Sequence, residues 1–537
     1  MSIKFNKLAY DSVDDFVYGS CKKPVTTKSG LIIGGGEVYP ELNFTLPSMI
    51  VNEDSIKDAY QIYKDMTNGI LNRARELYAP GVVIEYETLP EFTENPKWGI
   101  EVSKIIVDTM KEYEAKYGLK SAYRATPNDL REMNRPPIMR SGKYWEAMIE
   151  SFAGCSQAGA DFISVESTGG KELNDEALVN ADIKQVIFAL GVCGCRDMKF
   201  LWKNIADICK ANGSLPAGDS ACGFGNTAMV LAERGMIPKV FAAVVRVATV
   251  ARALAAFEEG AVGPSKDCAY EGIYLKAITG SPISCEGKSA ACAHLSPIGN
   301  IAAAVTDLWS NESVQQVKLL AEMAPVVSIE QLIYDTRLMN TATKKGFRRE
   351  FRDLLAESDA RLDPQAYVLK PQVVFDIAGE LVKAENSFEM TKLGAKLALD
   401  KITEAVNSGE VYVEEREKKW LDIIGNQIED IADDIEMHVS TVSRAVKGKY
   451  IQYPGGTIGM RDIFNNTQTF GDQDSTTEEI KEEIRRLVKE EDKKKPLSDG
   501  KIVSLLEQKN MKISRRTVAK YRAQLGIAGT TQRKIHE

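Results

Sequence analysis

The sequence predicts an α/β protein: a (β/α)8 TIM-type barrel followed by a small all-α helix-turn-helix domain. Three observations predict it. Up to about residue 424, short β-rich runs alternate with longer helical ones, which implies a parallel sheet covered by helices. The alternation lasts for several hundred residues, which favours a closed barrel over an open sheet. Beyond about residue 425, cysteine and tryptophan vanish and charged helical segments take over. The expected boundary therefore falls at 425–428, giving domains 1–424 and 428–537.

The expected strands are Gly81–Tyr86, Ser121–Arg124, Asp161–Glu166, Val186–Gly191 and Leu215–Asp219, each a short run rich in apolar or β-branched residues. Between them, the longer patterns Ile100–Tyr117, Lys143–Ala158 and Lys199–Ala211 read as helices. The stretch from Val240 to Phe257 is the most apolar, but Arg246 and Arg252 interrupt it, so it reads as a core helix rather than a membrane span. Near the C-terminus, Ser475-Thr476-Thr477-Glu478-Glu479 offers N-caps with Glu three residues on, opening a charged helix to about Asp492. Lys493-Lys494-Lys495-Pro496 interrupts, and Ser498 caps a further helix through Gln508. The run Gly34-Gly35-Gly36 lacks the spacing of a nucleotide fingerprint.

At 537 residues the chain has room for a large barrel and a second module. A net charge of −8 argues against coating nucleic acid along its whole length, though a local basic site is compatible with it. Met1–Asn6 carries no leader pattern, and the nine cysteines, all between Cys21 and Cys292, form no small disulfide framework. A cytoplasmic protein with reduced cysteines and no membrane attachment is expected.

Three residues draw attention in the first domain. Glu166 ends a β-rich run in Val165-Glu166-Ser167-Thr168-Gly169-Gly170-Lys171-Glu172. Cys222 follows another in Ala217-Gly218-Asp219-Ser220-Ala221-Cys222. Cys268 closes Gly260-Ala261-Val262-Gly263-Pro264-Ser265-Lys266-Asp267-Cys268. Strand ends of a barrel converge on one face, and two thiolates with one carboxylate leave a fourth tetrahedral position open, as a catalytic zinc requires. Spacing alone leaves other readings open: packed core cysteines with a paired glutamate, or rival ligands in Cys193-x-Cys195 and Cys292-x-His294. Asp219 and Asp267 are candidate supporting residues. Lys171 and Lys266 either serve a partner or face water.

Longer runs add a resemblance. Besides the segments above, Lys276-Ala277-Ile278-Thr279-Gly280, Trp309-Ser310-Asn311-Glu312-Ser313-Val314 and Asp363-Pro364-Gln365-Ala366-Tyr367 occur in an order similar to that of the zinc-containing subunit of methanol:corrinoid methyltransferases. That resemblance covers about residues 1–424. It implies a barrel whose catalytic Zn2+ is held by Glu166, Cys222 and Cys268, with methanol as methyl donor. It also implies a separate corrinoid protein whose Co(I) takes the methyl group, and a homodimer within a hetero-oligomer.

In the C-terminal part, Ile428–Arg444 reads as a helix-turn-helix with Ile431, Ala432, Ile435, Val439 and Val442 inward. Ser440, Thr441, Ser443 and Arg444 then face outward on the second helix. Further on, Val518, Tyr521 and Leu525 share one helix face, Gly526 marks its end, and 512–534 contains no acidic residue. Ser440-Thr441-Val442-Ser443-Arg444, Lys449-Tyr450-Ile451-Gln452, Lys494-Lys495-Pro496-Leu497-Ser498-Asp499 and the box Ser514–Arg522 resemble the DNA-binding region of RpoN-type (sigma-54) RNA polymerase sigma factors. The resemblance implies promoter contacts by Arg515, Arg516, Lys520 and Arg522 on a GG-containing element of double-stranded DNA. Ser514 stands where that family has Ala, and Glu436 where it has a turn Gly. Its activator- and polymerase-binding regions are missing. The leading expectation is an enzyme moving methyl from methanol to a corrinoid protein, with a DNA-binding appendage. The alternative is a transcription-related DNA binder using the barrel as a sensor.

Overall fold

In a computed structural model the chain is described over residues 4–46, 49–134, 137–266, 270–287, 296–314, 322–435, 450–453, 456–459, 477–489, 491, 496–507, 513–525, 527–528 and 530–533. It divides into two compact units, Met1–Asp434 and Ile435–Glu537.

Among the described residues, the first unit is built on seven parallel strands. After the hairpin β1 (Ser20–Thr26) and β2 (Ile32–Gly35) come β3 (Tyr39–Thr45), β4 (Val82–Glu87), β5 (Ser121–Thr126), β6 (Phe162–Val165), β7 (Leu215–Asp219), β8 (Ser284–Glu286) and β9 (Leu308–Val314). The sheet order is β7-β6-β5-β4-β3-β9-β8, with every pairing parallel. The eighth position is filled irregularly by 262–266. Val262 N donates to Pro216 O on the β7 side at 2.8 Å, and Ser265 bridges to Ile283 beside β8. The curled sheet thus closes through a stretch that is not itself a regular strand.

Helices follow the strands. Pro96–Tyr117, Lys143–Ala158 and Cys195–Asn212 coincide closely with the expected ones, the first and third ending at left-handed Gly118 and Gly213. One expected strand is a helix instead. Val186–Gly191 lies in Ile183–Phe188 and the π-helical turn Ala189–Gly194. Asp182 caps this segment by accepting from Gln185 N, and Ile183, Val186, Ile187 and Leu190 are buried at helical spacing. An apolar run of that length fits either period, and the cap decides it.

The span Lys239–Glu258 is long and apolar enough to cross a membrane but is buried over its whole length. Its two arginines are used internally. Arg246 stacks over Tyr270 and donates to Gln365, and Arg252 stacks over Phe224 at 4.2 Å. At the N-terminal end of the barrel, hairpin residues Val25, Leu31 and Ile33 pack on Tyr39, Val83, Ala122, Phe162, Ala217 and Leu308. This small separate core plugs that end, so the opposite, C-terminal end is left for chemistry.

The last helix, Glu415–Ile435, is continuous through 425–428, where the sequence texture changes. Ile424, Ile428 and Ile431 are buried in the main core of the first unit, each burial worth roughly 1.5–3 kcal/mol. Gln427 bridges the chain at Ala181 and Ile183, accepting from Ile183 N at 3.0 Å and donating to Ala181 O at 3.4 Å. Lys184 pairs with Asp430 at 2.7 Å.

In the second unit a hairpin, Tyr450–Tyr453 with Gly456–Gly459, appears where only helices were expected. Tyr-Ile-Gln-Tyr is rich in the aromatic and β-branched residues that favour strands. Helices Thr477–Lys489, Asp499–Glu507 and Arg515–Gln524 share a core of Ile480, Ile484, Ile502, Leu506, Ile513, Val518 and Tyr521. Ser498 and Ser514 cap the second and third, accepting from Lys501 N at 3.2 Å and Thr517 N at 3.1 Å.

Candidate functional site

The barrel interior is polar, and strand period explains how. Residues two apart on a strand share a face, and Glu41 with Asn43, Glu85 with Glu87, and Arg124 with Thr126 all meet partners on other strands across the interior. Arg124 sits lowest and fully buried. Its guanidinium donates to Glu41 at 2.6 Å, Ser164 Oγ at 2.9 Å and Pro264 O at 2.7 Å, and Ser284 donates to the same Glu41 carboxylate. Higher up, Thr126 Oγ1 donates to Glu85 at 2.6 Å and Asn43 Nδ2 to Glu87 at 3.0 Å.

Lys266, on the irregular closing stretch, joins this layer to the site. Its Nζ lies 3.1 Å from Glu166 Oε1, 2.5 Å from Glu87 Oε2 and 3.5 Å from Glu85 Oε1. The lysine is thus neither a surface group nor a solvent-facing one; it is 4% exposed and grips three carboxylates. Burial alone would strip its proton, but Glu166, Glu85, Glu87 and Glu286 hold it well above the ordinary lysine value. Burial pushes Glu85 up to about 7 despite Lys266 and Arg124. Burial likewise raises Glu166 to about 7, Lys266 opposing and Glu87 reinforcing. Glu87 is the exception. Burial would raise it, but the charge and hydrogen bond of Lys266, with Asn43, bring it below the usual carboxylate range.

Glu166 directly follows β6, and Cys222 lies three residues beyond β7, its paired neighbour, at the same barrel end. Cys222 opens the π-helical turn Cys222–Asn226, which runs into helix Thr227–Glu233. π-turns recur at functional sites, and a helix N-terminus favours a thiolate. Asn226 Nδ2 donates to the Cys222 sulfur at 3.7 Å. Cys21, Cys155, Cys193, Cys195, Cys209 and Cys285 are free thiols.

Cys268 and Asp267 also lie outside the described residues, as do Cys292 and His294. Among the described residues no group of three donors is arranged to hold a metal. The other rival pair packs: burial raises the Cys193 thiol to about 11 and Cys195 to about 12.

A second ring of charges fixes the Glu166 loop. Asp219 accepts from Trp202 Nε1 at 3.1 Å and Ser167 N at 3.4 Å, while Arg252 binds Ser167 O at 2.6 Å. Buried Arg131 bridges Asp129 and Asp197, its Nη2 lying 2.7 Å from each, and Asp129 accepts from Thr168 N at 2.9 Å. Gly169 rests on this pair. A Cβ there would lie 2.3 Å from Asp197, whose carboxylate Arg131 holds in place. Gly169→Ala is therefore expected to cost about 1–3 kcal/mol through overpacking, read as a lower Tm. An unchanged Tm would mean that Asp197 moves aside freely.

Comparison with known proteins adds the decisive observation. The family model described as methanol-cobalamin methyltransferase B subunit matches residues 2–454. The chain belongs to that family. A methanol–corrinoid protein co-methyltransferase from Methanosarcina barkeri is 34% identical over 438 residues, covering 81% of this chain and 94% of the relative. The crystal structure of the methanol:cobalamin methyltransferase complex MtaBC from Methanosarcina barkeri matches with a TM-score of 0.75 and 33% identity, covering 80% of this chain and 93% of that one. The chain is thus an enzyme of the methanol–corrinoid methyltransferase type.

At the other end, the model for the sigma-54 DNA binding domain matches residues 409–535, overlapping the methyltransferase match. The RNA polymerase sigma-54 factor of Bacillus subtilis is 47% identical over 112 residues, 20% of this chain and 26% of that protein. The chain therefore spans about a quarter of the sigma-54 factor it matches.

Of the expected DNA contacts, Ser440, Thr441, Ser443 and Arg444 lie outside the described residues, as does Glu436. Arg515 and Lys520 are exposed on Arg515–Gln524, and nothing is described of the Arg516 side chain. Arg522 is engaged within the unit. It donates to Asp499 at 2.9 Å and to Ile527 O at 2.7 Å, and is 14% exposed. Sequence reading did not single out Glu85, Glu87 or Asp129. The signal for the first two was there, two glutamates spaced by two at the end of a strand.

Proposed function

We propose that this protein transfers the methyl group of methanol to the Co(I) of a corrinoid carried by a partner protein, using zinc held by Glu166, Cys222 and Cys268. The observation that supports the reading is that Glu166 and Cys222 follow the paired strands β6 and β7 at one barrel end, in a member of this family. The residue types fit the metal, since a carboxylate and a thiolate are both donors that zinc accepts. Zinc, when bound, supplies Lewis acidity that makes the methanol oxygen a better leaving group.

The chain's own residues set up the rest. Lys266 fixes Glu166 and keeps Glu85 and Glu87 beside it, so the carboxylate is aimed before any ligand arrives. Asp219, Arg252 and the Arg131 bridge lock the loop that carries Glu166. The apolar hairpin seals the far end of the barrel, which leaves the strand C-termini for methanol and the corrinoid partner. A cytoplasmic setting goes with this reading, because thiolate donors and a Co(I) acceptor both require reducing surroundings. The test is metal analysis of the purified protein, with methanol-dependent methylation of a reduced corrinoid. Metal-free protein with full activity would overturn the reading.

The C-terminal unit is proposed to bind double-stranded DNA containing a GG element. Arg515 and Lys520, exposed on one helix, support it. Arg515→Ala and Lys520→Ala are each expected to weaken duplex binding and lower the salt slope by about 1. Arg522→Ala acts differently, by loosening the unit through loss of Asp499. Duplex binding that ignores both Arg515 and Lys520 would refute the placement of the interface.

A further inference from the structure

The sealed end of the barrel carries a cavity of about 630 Å³, between strand β1 and the start of helix Arg348–Ala360. Asp307, which directly precedes β9, acts on Tyr10 and Cys21 in its wall, so the cavity lies at the N-terminal ends of the strands. Glu166 and Cys222 follow strands at the opposite end. Three features of the wall favour an anion. Helix Arg348–Ala360 starts without a side-chain cap, which leaves its first backbone N–H groups and the positive end of its dipole open. Arg348, the first residue of that helix, has no carboxylate partner. Its Nε donates to Thr343 Oγ1 at 3.0 Å and its Nη2 to Gly36 O at 2.6 Å, which fixes the guanidinium and leaves Nη1 over. Burial lowers Arg348 from the ordinary arginine value, as befits a half-buried cation without an adjacent counter-charge. Finally, Tyr10 is 3% exposed and its hydroxyl proton has no acceptor. The Lys22 backbone N–H that faces the phenol is itself a donor. Phe16 at 5.4 Å and Lys22 Nζ at 5.1 Å hold the Tyr10 ring in place.

We propose that this cavity binds a small polar monocarboxylate, its carboxylate held by Arg348, the uncapped helix start and the Tyr10 hydroxyl. Carboxylate oxygens accept the hydrogen atoms that a guanidinium, backbone N–H groups and a phenol all offer, and helix N-termini are ready-made anion sites. Charges at the rim limit the ligand to a single negative charge. Lys22 lies 3.7 Å from Asp15, and Arg349 lies 3.6 Å from Asp14 and 3.8 Å from Asp15, so those cations are already matched. Glu350 adds another exposed carboxylate, and a phosphate dianion would be repelled by all three acids. Burial pushes the Cys21 thiol up to about 12, so no thiolate competes for the cation. Ser20 and Thr343 in the wall suit a hydroxylated body rather than an apolar one. The volume falls within the range of about 300–1,000 Å³ usual for small-molecule sites. The site shares no residue with the metal or DNA readings and stands or falls apart from them.

The test is equilibrium dialysis of radiolabelled lactate against the full chain at constant ionic strength. Saturable uptake of one lactate per chain is expected. Lactamide, of the same shape but uncharged, and inorganic phosphate should each compete at least about tenfold more weakly than unlabelled lactate. Arg348→Gln and Tyr10→Phe should each weaken uptake about tenfold or more, the loss of a hydrogen bond to a charged acceptor. Tyr10→Phe separates binding from folding. It removes a buried hydroxyl that has no acceptor, so the Tm of the ligand-free variant should equal or exceed that of the wild type. Absence of saturable uptake, uptake unchanged by Tyr10→Phe, or competition by lactamide equal to that of lactate would each overturn the site. Phosphate binding more tightly than lactate would overturn the choice of a monocarboxylate.

Discussion

Replacing Cys222 by alanine is expected to remove tightly held zinc and slow methyl transfer from methanol at least about 10³-fold while the barrel stays folded. Polarisation by a metal is worth several kcal/mol, and each 1.36 kcal/mol is about tenfold in rate, so loss of one thiolate donor should reach that scale. Cys222 is only part-buried, at the start of a helical turn, so truncating it opens no large cavity. Cys195→Ala is the control. Its thiol is buried in packing and raised to about 12, and its loss should leave zinc content untouched. A Cys222→Ala protein that keeps both metal and rate would end the zinc reading.

Arg131→Leu is expected to lower stability by about 3–5 kcal/mol, because it leaves Asp129 and Asp197 buried without their shared cation. In the native protein, burial would raise Asp129, but Arg131, with the Thr168 backbone, brings it below the ordinary aspartate value. A depressed carboxylate contributes stability that is present above its unfolded pKa and lost as pH falls through the folded one. Without Arg131 the sign reverses: burial then dominates, Asp129 rises above its unfolded value, and the variant regains stability on protonation. The deficit should accordingly narrow as pH is lowered toward the carboxylate range. Chemical denaturation at neutral and mildly acidic pH checks this, and a deficit that widens in acid would contradict the pairing. Because Asp129 also holds Thr168, the variant should bind zinc less tightly even where it remains folded.

Sequence reading located β4, β5, β6 and β7 as short runs rich in apolar or β-branched residues, and Leu215–Asp219 agrees residue for residue. The same criterion misassigned Val186–Gly191, where the Asp182 cap outweighed an apolar run that suits either period. It overlooked β3 and β9 for the opposite reason. Tyr-Pro-Glu-Leu-Asn-Phe-Thr and Leu-Trp-Ser-Asn-Glu-Ser-Val look too polar for buried strands, yet they face an interior filled with charged pairs. Lys266 was misjudged similarly: a lysine reads as surface until the three carboxylates around it are seen. Glu166 and Cys222 were legible through motif resemblance, and the structure adds their position on adjacent strand ends. The expected all-helical C-terminal part contains a hairpin, because strands of four residues are too short to stand out.

The stretch 262–266 stitches β7 to β8 in place of an eighth regular strand, and the same five residues deliver Lys266 to the acidic cluster. Shutting the wall of the cylinder and arming its mouth are consequently one event in folding. A molecule that failed to seal would also arrive without the cation that gathers Glu85, Glu87 and Glu166, so half-finished copies should be silent rather than misdirected in their chemistry.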